Sequence, residues 1–169
     1  MTPHAEEGVA LSERVIASLS ARGETLGFCE SLTAGLAAAT VACVPGASAV
    51  LRGGLVTYAT EVKAHFLRVP VAQLNKQGVV SAATALAMSQ AALTEICSDW
   101  ALSLTGVAGP GLQEGKPAGT VFIGLAHYDR GTGRVDAHAF EKHFSGDRAQ
   151  VRQGAVEECL RLLLEALAK

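Results

Sequence analysis

Apolar positions along the chain switch between a helical period and short unbroken runs. Over residues 6–21, Val9, Leu11, Val15, Ile16 and Leu19 recur near helical spacing, and Gly23 stops the pattern. Residues 24–30 are short and mixed apolar, which predicts a buried strand. Residues 32–43, LTAGLAAATVAC, predict a helix that ends before Pro45–Gly46. SAVLRGGLVTY, 48–58, reads as a strand whose adjacent Gly53 and Gly54 mark a bulge or the close approach of another group. Thr60 reads as the N-cap of a short helix, EVKAHFL, stopped by Pro70, and VAQLN as a second short turn. Residues 81–97 carry a long helical pattern through Leu86, Met88, Leu93 and Ile96. WALSL, 100–104, predicts a buried strand that runs into TGVAGPG and a glycine-rich loop reaching Gly119. TVFIGLAHY (120–128) and RVDAHAFEKHF (134–144) predict a strand pair around a turn at Asp129–Gly133, the second alternating Val135, Ala137 and Ala139 with more polar positions. An amphipathic helix from about Asp147 closes the chain.

Helices alternating with strands, then a hairpin, predict an α/β fold. The expectation is a single three-layer α/β/α domain over residues 1–169, with a mixed, mostly parallel sheet, a C-terminal hairpin and a long C-terminal helix. Composition supports it: 49% of the 169 residues are apolar and 18% charged, enough for a core without staples. A net charge of −2 argues against general nucleic-acid binding, whose footprint is a basic face, but leaves room for one phosphate site. The cysteines, Cys29, Cys43, Cys97 and Cys159, show no C-x-x-C spacing and read as reduced core residues of a cytoplasmic protein. Cys29 has a second reading as a nucleophile, but its apolar surroundings favour the core. Acidic residues near the N-terminus do not fit a secretory signal, and no apolar run approaches the ~20 residues of a membrane span.

Four stretches carry candidate chemistry. In FCESLTAG (28–35), Ser31 follows a strand at the head of a predicted helix, which places its hydroxyl at a strand end, where α/β proteins bind ligands. Free N–H groups at the helix start would stabilise an oxyanion there; capping is the job that spacing alone favours. Lys63 falls in the first turn of the next helix, where the dipole disfavours a cation and burial beside Val62 and Phe66 would lower its pKa. A neutral lysine is a competent base, a solvated one only a surface charge. Tyr58 precedes it at a strand end. TGVAGPG (105–111) offers backbone N–H groups to an anion without being a P-loop, since no Lys-Ser/Thr follows the glycines. In FSGDR (144–148), Asp147 is the better cap, and Arg148 is left as a surface residue or an anion ligand. His127, His138 and His143 cluster near the hairpin but lack carboxylate or cysteine partners at metal-binding spacing, so no metal is expected.

ESLTAG (30–35), PGAS (45–48), GGLVTY (53–58), Lys63, GVVS (78–81), TGVAGPG, KPAGTV (116–121) and FSGDR occur in that order. The set resembles the C-terminal domain of the competence/damage-inducible protein CinA, whose stand-alone members are nicotinamide-nucleotide amidases. Two departures stand out. Ala34 replaces the first of a more usual Gly-Gly pair, and LQEG (112–115) replaces further glycines.

The resemblance implies a cytoplasmic Ser/Lys amidohydrolase that converts nicotinamide mononucleotide (NMN) to nicotinic acid mononucleotide and ammonia, without metal or organic cofactor. It makes Ser31 the nucleophile and Lys63 its base, with Tyr58 assisting proton transfer or orienting the amide. Substrate contacts fall to Thr33, Gly35, Thr105, Gly106, Ala108 and Gly109, and phosphate binding to Arg148. It further implies a homo-oligomer with no nucleic-acid or membrane partner. The alternatives are a non-catalytic nucleotide-binding module and an amidase for another small amide.

Overall fold

Strand β1 (Leu26–Glu30) is buried at every position, as a short apolar run between two helical layers must be. It belongs to a computed structural model that describes residues 3–169, with side chains from Glu6 onward. Helix α1 (Pro3–Arg22) precedes it; α2 (Leu36–Ala42) and a 3-10 turn (Ala47–Ala49) lead to β2 (Leu51–Val56). Helices α3 (Thr60–Leu67), α4 (Val71–Gln77) and α5 (Ala82–Ile96) carry the chain to β3 (Trp100–Gly106). The hairpin β4 (Thr120–Asp129) and β5 (Arg134–His143) and the helix α6 (Arg148–Leu167) complete it.

The sheet order is β2-β1-β3-β4-β5. β1 pairs parallel with β2 and β3, while β3–β4 and β4–β5 are antiparallel, so β4 alone opposes the other strands. Side chains alternate between the faces. Trp100, Leu102 and Leu104 pack with Val15 and Leu19 of α1 and Leu160 and Leu163 of α6. Ala101 faces the other way, onto Met88 and Ala92 of α5. The result is the expected three-layer α/β arrangement with a mixed sheet. From β1 the chain moves to β2 on one side and returns to β3 on the other. The order therefore reverses at the C-terminal end of β1, where such sheets open a ligand crevice.

Local departures from the expected elements have physical causes. The helix over 32–43 begins only at Leu36, because Ala34 (φ 50°) and Gly35 (φ 93°) are left-handed and residues 31–35 form turns instead. The 48–58 strand shortens to β2, and its glycines serve both expected purposes. The register with β1 shifts between Leu26 and Gly27, opposite Gly53, and a β-carbon at Gly54 would lie 3.2 Å from that of Ala38. Thr60 is the first helical residue of α3 rather than its cap; Ala59 occupies the cap position without a side-chain bond. VAQLN is not a lone turn but the body of α4, which buries Leu74. Ser81 caps α5 by accepting the Thr84 N–H, and Asp147 caps α6 in a capping box with Gln150. All the cysteines are free thiols, but only Cys29 and Cys159 are core residues. Cys43 and Cys97 are exposed, since each sits at the C-terminal end of its helix, beyond the packed face.

Helix α5 lies close against the sheet at Gly124. Ser103 Oγ donates to the Ala85 carbonyl oxygen at 2.6 Å. A β-carbon at Gly124 would fall 2.3 Å from that same oxygen. Gly124→Ala should therefore push α5 off the sheet. The expected cost is about 1–3 kcal/mol, read as a Tm lower by several degrees in a thermal melt. An unchanged Tm would mean that this contact does not limit the packing.

Candidate active site

The end of β1 is held on several sides. The Ser31 N–H donates to the Leu104 carbonyl at 2.9 Å, which carries the sheet pairing one residue past the strand. Glu30, only 1% exposed, turns its carboxylate to the start of α2. It accepts the N–H groups of Gly35 (2.9 Å), Ala37 (3.1 Å) and Ala38 (2.9 Å). From α6, Arg152 donates to the carbonyls of Leu32 (3.0 Å) and Thr33 (2.7 Å). The turn bearing Ser31 is thus fixed by a carboxylate on its N–H side and a guanidinium on its carbonyl side.

This arrangement corrects one expectation. The helix-start N–H groups are not available to an oxyanion, because Glu30 has taken them. Leu32, Ala108, Gly109, Gly111 and Leu112, all outside helix and strand, line the cleft.

Lys63 lies across from the turn. Its ammonium nitrogen is 3.2 Å from Ser31 Oγ, with Lys63 3% and Ser31 9% exposed. Burial lowers the lysine pKa, and the charges of Cys29 and Glu114 act in the opposite direction. The Cys29 thiol is pushed up to about 11, chiefly by burial, against a Thr57 hydrogen bond and Lys63, which lower it. It is therefore protonated at neutral pH and is a core residue 3.6 Å from Thr57 Oγ1, not a competing nucleophile.

Ser31 and Lys63 lie in a cleft of about 290 Å³ that also exposes Tyr58, Arg148 and the 106–113 loop. The Tyr58 hydroxyl accepts from Arg148 Nη2 at 2.8 Å, and Arg148 Nη1 donates to the Gly109 carbonyl at 3.0 Å. Tyr58, 57% exposed, thus stands at the rim beside Arg148, with its hydroxyl bonded to that residue rather than to Ser31 or Lys63. Gly106, Ala108 and Gly109 line the cleft.

Thr33, Gly35 and Thr105 are not on its wall. Thr105 is buried, and its hydroxyl donates to the Val79 carbonyl at 2.8 Å. Gly35 gives its N–H to Glu30. Thr33 ties down the turn through its carbonyl, not through its hydroxyl, which is buried without a hydrogen-bond partner among the described residues. Of the histidines, His127 stacks on Trp100 at 3.9 Å between ring centroids, and His138 and His143 are exposed on β5. Among the described residues, no three His, Cys, Asp or Glu side chains form a metal-holding group.

Glu30, Arg152 and Glu114 are the site residues that motif reading passed over. Glu30 had a visible signal, an acid at the end of an apolar strand. Arg152 and Glu114 had none, because their roles depend on which segments meet in space.

Residues 9–167 match the CinA C-terminal domain. The chain belongs to this family. It is 45% identical over 158 residues to a Lactiplantibacillus plantarum protein described as competence-damage inducible, covering 94% of this chain and 36% of that protein. A Streptococcus pneumoniae protein of the same description is 44% identical over 161 residues, 95% of this chain and 37% of the other. The chain spans somewhat over a third of the length of these curated relatives. The crystal structure of competence/damage inducible protein CihA from Agrobacterium tumefaciens superposes with a TM-score of 0.84 at 32% identity, covering 96% of each chain. A CinA superfamily protein from Klebsiella pneumoniae does so with a TM-score of 0.85 at 33% identity, covering 95% of this chain and 98% of that one. Among the described residues of this CinA-family chain, no helix is long and apolar enough to cross a membrane.

Burial of Lys63 has a thermodynamic signature. Its native pKa lies below the ordinary 10.5, so between those values the unfolded chain holds the extra proton. Stability from this site therefore rises with pH through that window and is complete only above 10.5. Cys29 acts oppositely, its raised pKa weakening the fold as pH climbs from 9.0 to about 11. That effect is common to wild type and a Lys63 variant, so it largely cancels in their difference. Lys63→Met should melt a few degrees higher than wild type near neutral pH, with the gap closing toward pH 10.5. A gap independent of pH would refute burial of the charged form as the cause.

Proposed function

We propose that this chain is an amidohydrolase with Ser31 as nucleophile and Lys63 as its base, and that its substrate is NMN. The observation that carries this reading is the 3.2 Å contact between Ser31 Oγ and a buried lysine whose pKa is lowered. A hydroxyl becomes a useful nucleophile when a neutral base beside it can take its proton. In the lysine's deprotonated form, Nζ accepts the Ser31 proton as Oγ attacks the carboxamide carbon. The tetrahedral oxyanion draws its donors from backbone N–H groups among the cleft-lining Leu32, Ala108, Gly109, Gly111 and Leu112. The resulting Lys63 ammonium returns the proton to the departing nitrogen, and ammonia leaves an acyl ester on Ser31. Water then attacks that ester with Lys63 again as base, releasing nicotinic acid mononucleotide and restoring Ser31. Arg148 supplies the second cation of the cleft and is assigned to the phosphate, exchanging its bonds to Tyr58 and Gly109 for phosphate oxygens. Tyr58 accordingly acts at the rim, through Arg148. The reaction would return nicotinamide nucleotide to the acid form in pyridine-nucleotide recycling.

An amidase for a different small amide is the second reading, favoured by Leu112 and Gln113 on the cleft wall. Turnover of a panel of pyridine carboxamides with and without phosphate separates the two.

Ammonia release from NMN tests the assignment. Ser31→Ala and Lys63→Ala should each lose on the order of 10³-fold or more in kcat, because the pair acts as a unit. An active Ser31→Ala enzyme would sink the nucleophile. The kcat/KM profile should rise on an acidic limb as Lys63 loses its proton; a rate flat from about pH 5 to 9 would remove Lys63 as base. Arg148→Ala should raise KM for NMN more than it lowers kcat, and should leave a phosphate-free amide unaffected.

A further inference from the structure

Glu114 lies in the loop between β3 and β4, where Gly109, Gly111, Gly115 and Gly119 leave the backbone with little intrinsic stiffness. Within that loop, Gln113 and Lys116 exchange two backbone hydrogen bonds, at 3.1 and 2.9 Å. Glu114 (φ 52°) and Gly115 (φ 73°) form the two-residue tip between them. Positive φ at both positions is the geometry of a type I′ hairpin turn, which strains any residue carrying a β-carbon. Glu114 accepts this strain and turns its carboxylate onto another segment. It receives the N–H of Val79 at 2.9 Å and of Val80 at 3.0 Å. Thr105 already holds the Val79 carbonyl, so that peptide is gripped from both sides. Gly78, at φ 90°, leaves room, since a β-carbon there would sit 3.3 Å from the carboxylate.

The two segments joined in this way are both walls of the cleft. Val79, Val80, Leu112 and Gln113 all line it. Leu112 is 73% exposed at the mouth, so no packing of its own holds it there. We propose that Glu114 is a positioning residue that sets substrate specificity. By latching the 113–116 hairpin to the Val79–Val80 peptides, it keeps Leu112 and Gln113 as a fixed outer wall beside Ser31. The kinetic consequence rests on the amidase reading; the latch itself can be read without substrate.

The same carboxylate has an electrostatic effect. Cys29 from β1 and Glu114 from the loop are the groups whose charges raise the Lys63 pKa, while Tyr58 and Arg148 share the cleft from its rim. Near neutral pH the Cys29 thiol is uncharged, which leaves Glu114 as the negative charge acting on the lysine.

Two variants separate shape from charge. Glu114→Gly fits the left-handed backbone and removes the latch; Glu114→Gln keeps one carbonyl acceptor and removes the charge. In Glu114→Gly, amide exchange at Val79 and Val80 should accelerate about tenfold or more, with Tm falling by no more than a few degrees because relief of the left-handed strain offsets part of the lost hydrogen bonding. The Kd of NMN by calorimetry and its KM should rise together by about tenfold, while kcat changes less than about threefold and discrimination against bulkier amides falls. In Glu114→Gln, the acidic limb of kcat/KM should move to lower pH, a shift that a purely structural tie would not produce. Unaltered exchange at Val79 and Val80 in Glu114→Gly, or faster exchange with Kd and discrimination unchanged, overturns the proposal. If the wild type hydrolyses no amide, the amidase reading fails by itself; exchange and calorimetry with NMN still decide the latch.

Discussion

At the end of β1, the buried Glu30 carboxylate gathers the N–H groups of Gly35, Ala37 and Ala38. Those groups have no intrahelical partner at the start of α2, and a buried carboxylate likewise needs donors on its oxygens. Each satisfies the other. The consequence is geometric: residues 31–35 must leave the strand and double back in left-handed turns before α2 can begin. Ser31 is thereby carried at the sheet end instead of inside a helix, and Arg152 locks the other edge of the same turn. A carboxylate adjacent in sequence to the proposed nucleophile thus acts through the backbone and not on the substrate.

The parallel pairing of β1 with both neighbours places this turn at the reversal of strand order. Crossovers on opposite faces leave the strand end uncovered and let α3 approach from the side. Lys63 is then buried against Ser31, although as a charge it would be more comfortable in water. The fold accepts that strain at its site, a common feature of functional positions. Its compensation lies in the core elsewhere, where the α1–α6 layer and α5 cover the two faces of the sheet.

Much of the framework was legible locally. The helical spacing of α1 and α5, the unbroken apolar run of β3, the paired run of β4 and β5 and the Asp147 cap of α6 all follow from contacts a few residues long. Boundaries failed where backbone handedness decided them. The run LTAGLAAATVAC has helical composition throughout, yet Ala34 and Gly35 are left-handed because Glu30 draws the following N–H groups toward itself. The cysteines show the same limit: hydrophobic character placed all of them in the core, but position on the helix left Cys43 and Cys97 at the surface.

The order of elements, the α/β class and the succession of motifs that marks a CinA C-terminal domain can be read along the chain, because these depend on local periodicity and residue identity. Which groups meet follows from the folded chain alone. Ser31 and Lys63 are 32 residues apart in the chain and 3.2 Å apart in space. Lys63 reads as a solvated surface lysine until the fold buries it beside Ser31, since a pKa is set by the solvent and charge that surround a group and not by its neighbours in sequence. Thr105 and Tyr58 changed meaning for the same reason, and Glu114 gained one. Their hydrogen-bond partners, Val79, Arg148 and the Val79–Val80 peptides, come from segments that chain order does not place beside them.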